Sequence, residues 1–182
     1  DVLCSSQLII SIAAGKTMDW LEERLGSDKK IIRTMPNTPA LVGEGITGVC
    51  KNDLVEESEL EDALVLLRSF GRAEVVSEPM LDVVGAVSGS SPAFVFMFIE
   101  AMADGAVAEG MSRKKAYEFA AQAVLGSAKM ILETGMHPGE LKDMVCSPAG
   151  TTIEGVGVLE RKGMRSAVTD CIRACVKKTR EL

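Results

Sequence analysis

The sequence predicts two regions, an α/β segment over residues 1–77 and an all-α segment over residues 78–182. Two observations lead to this division. Up to residue 77, short runs rich in β-branched residues alternate with helical patterns, as in one flank of an α/β sheet. Beyond residue 78 no strand-like run recurs, and helical periodicity continues to the end of the chain. There are too few predicted strands for a complete doubly wound domain.

In the first region the apolar runs predict strands at residues 8–14, 30–35, 46–50 and 73–76. Helices are predicted at residues 18–25 and 56–70. Thr17 is placed to cap the first of these, and Gly26 to end it. Leu60, Leu64 and Leu67 recur at helical spacing in the second, which indicates one buried face.

The second region is predicted to contain five helices, at residues 92–110, 113–133, 140–145, 152–161 and 165–179. The first is apolar on nearly every face, so it must be buried in a core or against a partner subunit. We therefore expect an obligate homodimer or a higher homo-oligomer. The small-residue segment at 88–92 is interpreted as a turn whose hydroxyls cap this helix.

Composition argues against several classes of partner. The 20 basic and 26 acidic residues give a net charge of −6, and aromatic residues are only 4% of the chain. Neither phosphate neutralisation nor base stacking is favoured, so no nucleic-acid partner is expected. The longest apolar stretch, at residues 92–103, is shorter than the roughly 20 residues that a membrane span needs, so no membrane partner is expected either.

The five cysteines form no C-x-x-C pair. Cys171 and Cys175 are four residues apart on a predicted helix, a spacing that suits buried thiols in a reducing, cytoplasmic setting. His137 is the only histidine, and no second ligand stands at metal-binding spacing, so no metal site is expected. The single histidine also leaves a hydrolytic triad without an orienting partner.

The segment at residues 147–155 is the most informative motif. It places a Pro-Ala-Gly turn and two threonines at the start of a helix, and Thr151 and Glu154 have the spacing of a capping box. The N–H groups and the positive dipole end of that helix would favour a carboxylate or a phosphate. An ordinary helix cap is the structural alternative for so short a pattern.

Two further loops follow predicted strands, where α/β sheets bind ligands. In the segment Met35-Pro36-Asn37-Thr38-Pro39 the prolines restrain the backbone, so Asn37 could present its amide to a ligand or simply cap its own turn. Ala14 lies in the small-residue loop at 13–16, which allows close approach of a ligand or a helix. The G-x-G-x-x-G match at 43–48 is rejected as a dinucleotide motif, because prolines precede it and a strand-like run follows it.

Taken in order, seven segments resemble pyrroline-5-carboxylate reductase of a bacterial type over essentially the whole chain. They lie at residues 11–15, 35–39, 88–92, 126–130, 137–139, 141–143 and 147–153. The resemblance implies that the first region is the C-terminal part of a Rossmann domain that binds NADPH or NADH. It implies that residues 78–182 form an all-helical dimerisation and substrate-binding domain.

The resemblance also implies roles for individual residues. Gly150, Thr151 and Thr152 would bind the carboxylate of a small cyclic imino acid, 1-pyrroline-5-carboxylate, and the Thr152 hydroxyl would be the catalytic group near the ring nitrogen. Ala14 and Asn37 would border the nicotinamide of the cofactor. Glu78 is a weaker cofactor-binding candidate, with solvated surface as its alternative. Such a reaction needs no nucleophile and no metal.

Two departures from the family are expected to matter. The front of the Rossmann domain with its phosphate-binding loop is not among these residues, so we expect a truncated form that binds cofactor weakly. Ala149 stands where the family usually has glycine, which would cost about 1 kcal/mol if that position requires a positive φ. A helical dimerisation module without activity, and a hydroxyacid dehydrogenase, remain alternatives. The predicted helix at 92–110 lacks the lysine that the latter usually has there.

Overall fold

The computed structural model describes residues 3–4 and 6–182. It divides into two compact units, which are considered separately. The sheet unit contains the residues up to Pro92 together with Asp170–Leu182, and the helical unit contains Ala93–Thr169. The proposed functional boundary between residues 77 and 78 is a different division and stays a prediction.

The sheet unit is built on four strands in the order β1-β2-β3-β4. They are β1 (Leu8–Ser11), β2 (Lys30–Met35), β3 (Gly45–Lys51) and β4 (Gly71–Val75). Strands β1 and β2 are parallel, β3 runs antiparallel to β2, and β4 is parallel to β3. All four predicted strands are therefore present, although β1 ends three residues earlier than predicted.

Helices cover both faces of this sheet. On one face, α2 (Glu57–Arg68) packs its leucines against Ile32 and Val49. On the other, α1 (Met18–Leu25) and α3 (Glu78–Val84) pack against Ile31. Because side chains alternate along a strand, the neighbours Ile31 and Ile32 serve opposite cores, and both are fully buried.

The short helix α1 begins and ends as its sequence predicts. The Thr17 hydroxyl accepts a hydrogen bond from the backbone N–H of Trp20, and Gly26 follows the last residue with a φ of 109°. A 3₁₀ helix (Thr38–Val42) connects β2 to β3. The prediction that the 43–48 glycines are not a dinucleotide loop is confirmed, because strand β3 begins at Gly45 where that motif requires a helix.

One helical run extends without a break from Glu78 to Ala108. It comprises α3, a π-helical turn (Gly85–Ser90) and α4 (Ser91–Ala108). The predicted capped turn at 88–92 is therefore wrong, because the serines bond backwards along the helix. The Ser88 and Ser91 hydroxyls donate to the carbonyls of Val84 and Val87, 2.8 and 2.5 Å away.

The sequence argument against a membrane span was that the apolar stretch is too short, and this argument fails because the continuous helix has 31 residues. Among the described residues, one helix, Glu78–Ala108, is long and apolar enough to cross a membrane by length and composition. Only 6% of its apolar window is buried. The predicted burial of this helix is therefore not provided by the described part of the chain itself.

The remaining helices are α5 (Arg113–Thr134), α6 (Pro138–Val145), α7 (Thr151–Arg161) and α8 (Met164–Thr179). All five predicted helices of the second region are thus present, with starts shifted by up to two residues. Across the helical unit, whose residues are all described, the only buried side chains are Ala103, Ala116 and Ala120. Cys171, predicted to be buried, is exposed, and Cys175 is half-buried.

Candidate functional site

The start of α7 is formed by a tight turn at residues 147–150. The N–H of Gly150 donates to the carbonyl of Ser147 at 3.0 Å, which closes the turn. Pro148 occupies its second position, and Ala149 its third, with a φ of 57°. A positive φ at the third position is what a type II turn requires. The condition stated for Ala149 is therefore met, since this alanine adopts a left-handed conformation that normally favours glycine, and the energetic cost stays a prediction.

Gly150 is the N-cap of α7, with Thr151 as its first helical residue. The predicted capping box is wrong by one residue, because Thr151 lies inside the helix rather than at its cap. The turn favours glycine at 150, since a Cβ there would lie 2.2 Å from the Ser147 hydroxyl oxygen, which would have to rotate away, and 3.1 Å from the Ser147 carbonyl oxygen.

A glycine cap has a consequence for binding. Gly150 has no side chain, so the first-turn N–H groups of α7 have no N-cap side chain to which they could donate a hydrogen bond. In α1, by contrast, the Thr17 hydroxyl occupies that position. The N–H groups of a helix start together with the helix dipole favour an anion. Thr151 is exposed and Thr152 is half-buried at this start.

Two other candidate residues lie in the sheet unit, at the carboxyl ends of the parallel strands β1 and β2. Ala14 is exposed, in a turn between β1 and α1. The next residue, Gly15, has a φ of 72°, and a Cβ there would lie 2.7 Å from the Leu182 Cβ. The Lys16 ammonium donates to the Leu182 carbonyl at 3.0 Å, so the end of the chain packs beside this loop.

Asn37 follows β2 and is half-buried. Its Nδ2 donates to the Ser88 carbonyl at 3.1 Å, and its Oδ1 accepts from the Ile46 N–H at 2.9 Å. Asn37 begins the 3₁₀ helix but makes no side-chain cap bond to it. The self-capping alternative is therefore wrong: the amide connects other elements.

Glu78 is not a solvated surface residue. Its carboxylate forms an ion pair with the guanidinium of Arg33, whose side chain is only 5% exposed. The same oxygen accepts the N–H of Met18 at 2.5 Å, at the start of α1. Removing one partner from a buried ion pair is costly, because the other charge is left uncompensated. The geometry shows a residue that joins β2, α1 and α3.

Sequence reasoning missed three contributors. Arg33 is a buried charge that no periodicity could have distinguished from its apolar strand neighbours. Ser147 presents the oxygen that excludes a side chain at Gly150. His137 is the N-cap of α6, and its Nδ1 accepts the Gly139 N–H at 3.0 Å. The His-Pro-Gly order, with proline in the first turn of a helix, was the available signal for that cap.

Burial raises the pKa of the Cys50 thiol, an effect partly opposed by the nearby Arg33 charge. Cys50 pairs with Arg33 across β2 and β3 and belongs to the core that contains Ile31. In the part of the chain that the structure describes, no group of three or more His, Cys, Asp or Glu residues is placed to hold a metal ion.

The sheet unit has loops after its parallel strands, where α/β sheets bind ligands. The helical unit, taken by itself, contains a glycine-capped helix start of the kind that favours anions. The class of protein follows from comparison with known proteins. Residues 78–182 match the family model described as pyrroline-5-carboxylate reductase dimerisation. That match begins at the residue where the sequence predicts the domain boundary.

The chain is 61% identical over 180 residues to pyrroline-5-carboxylate reductase of Escherichia coli, covering 99% of this chain and 67% of that protein. It is 48% identical to the reductase of Methanosarcina acetivorans, with the same coverage. The crystal structure of Plasmodium falciparum pyrroline carboxylate reductase with NADP bound superposes with a TM-score of 0.92 at 35% identity. That match covers 97% of this chain and 68% of the other. The chain belongs to the pyrroline-5-carboxylate reductase family.

Proposed function

We propose that these residues act in the reduction of 1-pyrroline-5-carboxylate to L-proline by NADPH or NADH, the last step of proline biosynthesis. The observation that supports this most directly is the glycine-capped start of α7, in a chain of this family. A ring carboxylate is an anion of suitable size for the N–H groups of a helix start.

In this proposal, Gly150 and Thr151 bind the substrate carboxylate through backbone N–H groups. Thr152 adds its own N–H and places its hydroxyl beside the ring nitrogen. A hydroxyl there would hydrogen-bond the nitrogen and stabilise its changing charge rather than act as a strong acid. The turn supports this arrangement, because the Ser147–Gly150 hydrogen bond and the restrained Pro148 hold the helix start in place before ligand arrives.

The residues after β1 and β2 fit the nicotinamide end of a dinucleotide. Ala14 is small and exposed, so it permits close approach, and Asn37 retains one amide hydrogen and one lone pair beyond its two observed bonds. When bound, the nicotinamide supplies the hydride. The Glu78 carboxylate already binds Arg33 and the Met18 N–H. Glu78 therefore contributes to the cofactor site by holding the start of α1, directly after the loop that contains Ala14.

The described residues fit the phosphate end of a dinucleotide poorly. Phosphates favour a glycine-rich loop between a strand and a helix N-terminus. The glycines at 43–48 lead instead into a strand, where a Cβ on Gly48 would lie 2.9 Å from Val84. A polypeptide consisting of these 182 residues alone is therefore expected to bind cofactor weakly and to show little or no reductase activity.

The helical unit supports a homodimer or higher homo-oligomer. Its large apolar side chains that are more than half exposed are Phe96, Met97, Phe119, Leu125, Leu132, Met144 and Val145. Each is 54–68% exposed, so burying the remainder would contribute roughly 1–2 kcal/mol per side chain, or about 7–14 kcal/mol for all seven. That is as large as the whole stability of a typical domain, about 5–15 kcal/mol. A well-folded monomer at micromolar concentration, measured by light scattering without detergent, would contradict this part of the proposal.

We place the protein in the cytoplasm, because its five cysteines are all free thiols. Exposed free thiols such as Cys4 and Cys171 persist in a reducing compartment, whereas oxidising compartments favour disulfides. A second copy of the chain is the proposed cover for the α4 surface rather than lipid, since Glu100 and Asp104 interrupt that surface and are exposed.

Activity is best tested in two forms of the protein. One form is the 182-residue polypeptide, and the other, the extended form, adds the part of the E. coli relative that this chain does not match. We expect NADPH-dependent reduction of 1-pyrroline-5-carboxylate only in the extended form. If the extended form is a folded dimer that neither binds NADPH nor reduces the substrate, the chain is a dimerisation module and the proposal fails.

The role of Thr152 is tested in the extended form by Thr152→Val, which keeps the shape and removes the hydroxyl. Loss of a hydrogen bond to a developing charge is expected to lower kcat/KM roughly 10- to 100-fold. Thr169→Val is the matched control, because the Thr169 hydroxyl donates to the Arg165 carbonyl of its own helix at 2.9 Å. Equal losses in both variants would refute a specific role for the Thr152 hydroxyl.

A further inference from the structure

The helical segment at residues 78–88 is tied at both ends to the loops that follow the parallel strands. At its start, the Glu78 carboxylate accepts the Met18 N–H, directly after the loop that contains Ala14. Near its end, the Ser88 carbonyl accepts from Asn37, in the loop after β2. Both attachments lie in the sheet unit, at the sheet edge where α/β folds bind ligands.

The attachment at Ser88 follows from local chemistry. In an α-helix the Ser88 carbonyl would accept from the backbone nitrogen four residues on, which is Pro92, and proline has no N–H. The chain forms a π-helical turn here, a geometry that often occurs at functional sites. The Asn37 amide supplies a donor to the carbonyl that Pro92 cannot satisfy.

The amide oxygen of Asn37 binds a third element, strand β3. Its Oδ1 accepts the N–H of Ile46, the second residue of β3, at 2.9 Å. One side chain therefore holds the loop after β2, the start of β3 and the π-helical turn together. Two of its four hydrogen-bonding positions are already used by protein, as expected of a bridging residue.

We propose that Asn37 is a positioning residue for the cofactor site: its bridge between Ser88 and Ile46 holds the loop after β2 in the shape that receives the nicotinamide end. This inference rests on the proposed function. It assigns the effect of Asn37 on cofactor affinity to the ligand-free shape of the loop rather than to a direct contact alone. The family dimerisation region begins at residue 78, so the bridge also connects that region to the loop.

The chain offers a matched control at the opposite edge of the sheet. Asn52 Oδ1 accepts the Ile31 N–H at 3.2 Å, and its Nδ2 donates to the Lys29 carbonyl at 2.9 Å. Asn52 thus also links a strand N–H to a backbone carbonyl, and its Nδ2 donates in addition to the Glu22 carboxylate at 2.9 Å. It lies at the amino end of β2, away from the edge that binds ligands, and it is more deeply buried than Asn37.

The test compares Asn37→Ala and Asn52→Ala in the extended form defined above. Losing a bridging hydrogen bond at the cofactor edge is expected to raise the KM for NADPH about three- to tenfold in Asn37→Ala. Asn52→Ala should lower the melting temperature at least as much and change that KM less than twofold. If either alanine variant is insoluble, Asn37→Ser and Asn52→Ser replace the pair, since serine is neutral and too short to bridge both partners.

A second readout uses no cofactor. Hydrogen exchange in the ligand-free protein should be faster in Asn37→Ala at residues 36–46 and 85–90, and unchanged there in Asn52→Ala. The inference is overturned if the NADPH KM is unchanged in Asn37→Ala, or rises equally in both variants. It is also overturned if the KM rises while ligand-free exchange stays at the wild-type rate, which would indicate direct contact only. An inactive wild-type extended form would instead refute the proposed function.

Discussion

Ala149, which has a left-handed conformation just before α7, leads to an unusual prediction. Replacing it with glycine should stabilise the protein. Ala149 has a φ of 57°, in the turn that ends at the Gly150 N-cap. A left-handed conformation costs an L-residue with a Cβ about 1–2 kcal/mol. Glycine adopts it freely but loses more backbone entropy on folding, roughly 0.4–1 kcal/mol.

The net expectation for Ala149→Gly is a gain of up to about 1 kcal/mol in the free energy of unfolding. For a chain of this size, 1 kcal/mol corresponds to about 2–4 °C in melting temperature. Ala174→Gly is the matched control, because Ala174 is an exposed residue within α8, away from the apolar side chains proposed to lie at the dimer interface. The same substitution in a helix interior should cost about 1 kcal/mol.

The assay is thermal unfolding followed by circular dichroism, with all variants at one protein concentration because association contributes to stability. The two substitutions should shift the melting temperature in opposite directions. A decrease in Ala149→Gly equal to that in Ala174→Gly would refute the left-handed assignment at Ala149, and with it the turn geometry derived for the start of α7.

Two further predictions concern titratable groups. Burial raises the pKa of the Cys50 thiol, so Cys50 should react with iodoacetamide only on unfolding. Cys4 is exposed and its pKa is lowered by a hydrogen bond to Ser6, so it should be labelled first. Peptide mass spectrometry at pH 8 measures the order, and early labelling of Cys50 would contradict its place in the core. The hydrogen bond from Lys30 lowers the pKa of Glu59, so this pair stabilises the fold above the ordinary glutamate pKa of about 4.3, and the contribution disappears as pH falls through the lowered value. Urea unfolding of wild type and Glu59→Gln should therefore differ at pH 7 and converge at acid pH, and a difference that persists there would show that the lost stability is not electrostatic.

Local patterns were sufficient for most element positions. The run at residues 30–35 and the Thr17- and Gly26-bounded segment at 18–25 correspond to β2 and α1 without any shift. Strand period, capping hydroxyls and terminal glycines act within a few residues, so a single sequence contains them. The segments at 35–39 and 147–153 likewise indicated the family that the comparisons confirm.

One error involves a distant contact that no local pattern reveals. Residues 85–90 look like a turn in the sequence, yet they are helical in the structure, and Asn37 donates to the Ser88 carbonyl, for which Pro92 provides no N–H. The capping box at Thr151 was misplaced by one residue. This error is local: Gly150 is the N-cap, so Thr151 is the first helical residue and the Thr151–Glu154 spacing is not a capping box.

The sequence by itself thus determined the strands, the helices other than α3 and the π-helical turn, the family and the residue types available for anion binding, because these depend on neighbours along the chain. Only the tertiary structure decided what Asn37 and Glu78 do. Their partners, Ser88 and Arg33, lie 51 and 45 residues away along the chain. Such distant partners decide which donors and acceptors of a side chain are already used within the protein. The donors and acceptors that are left are the ones that can bind a ligand.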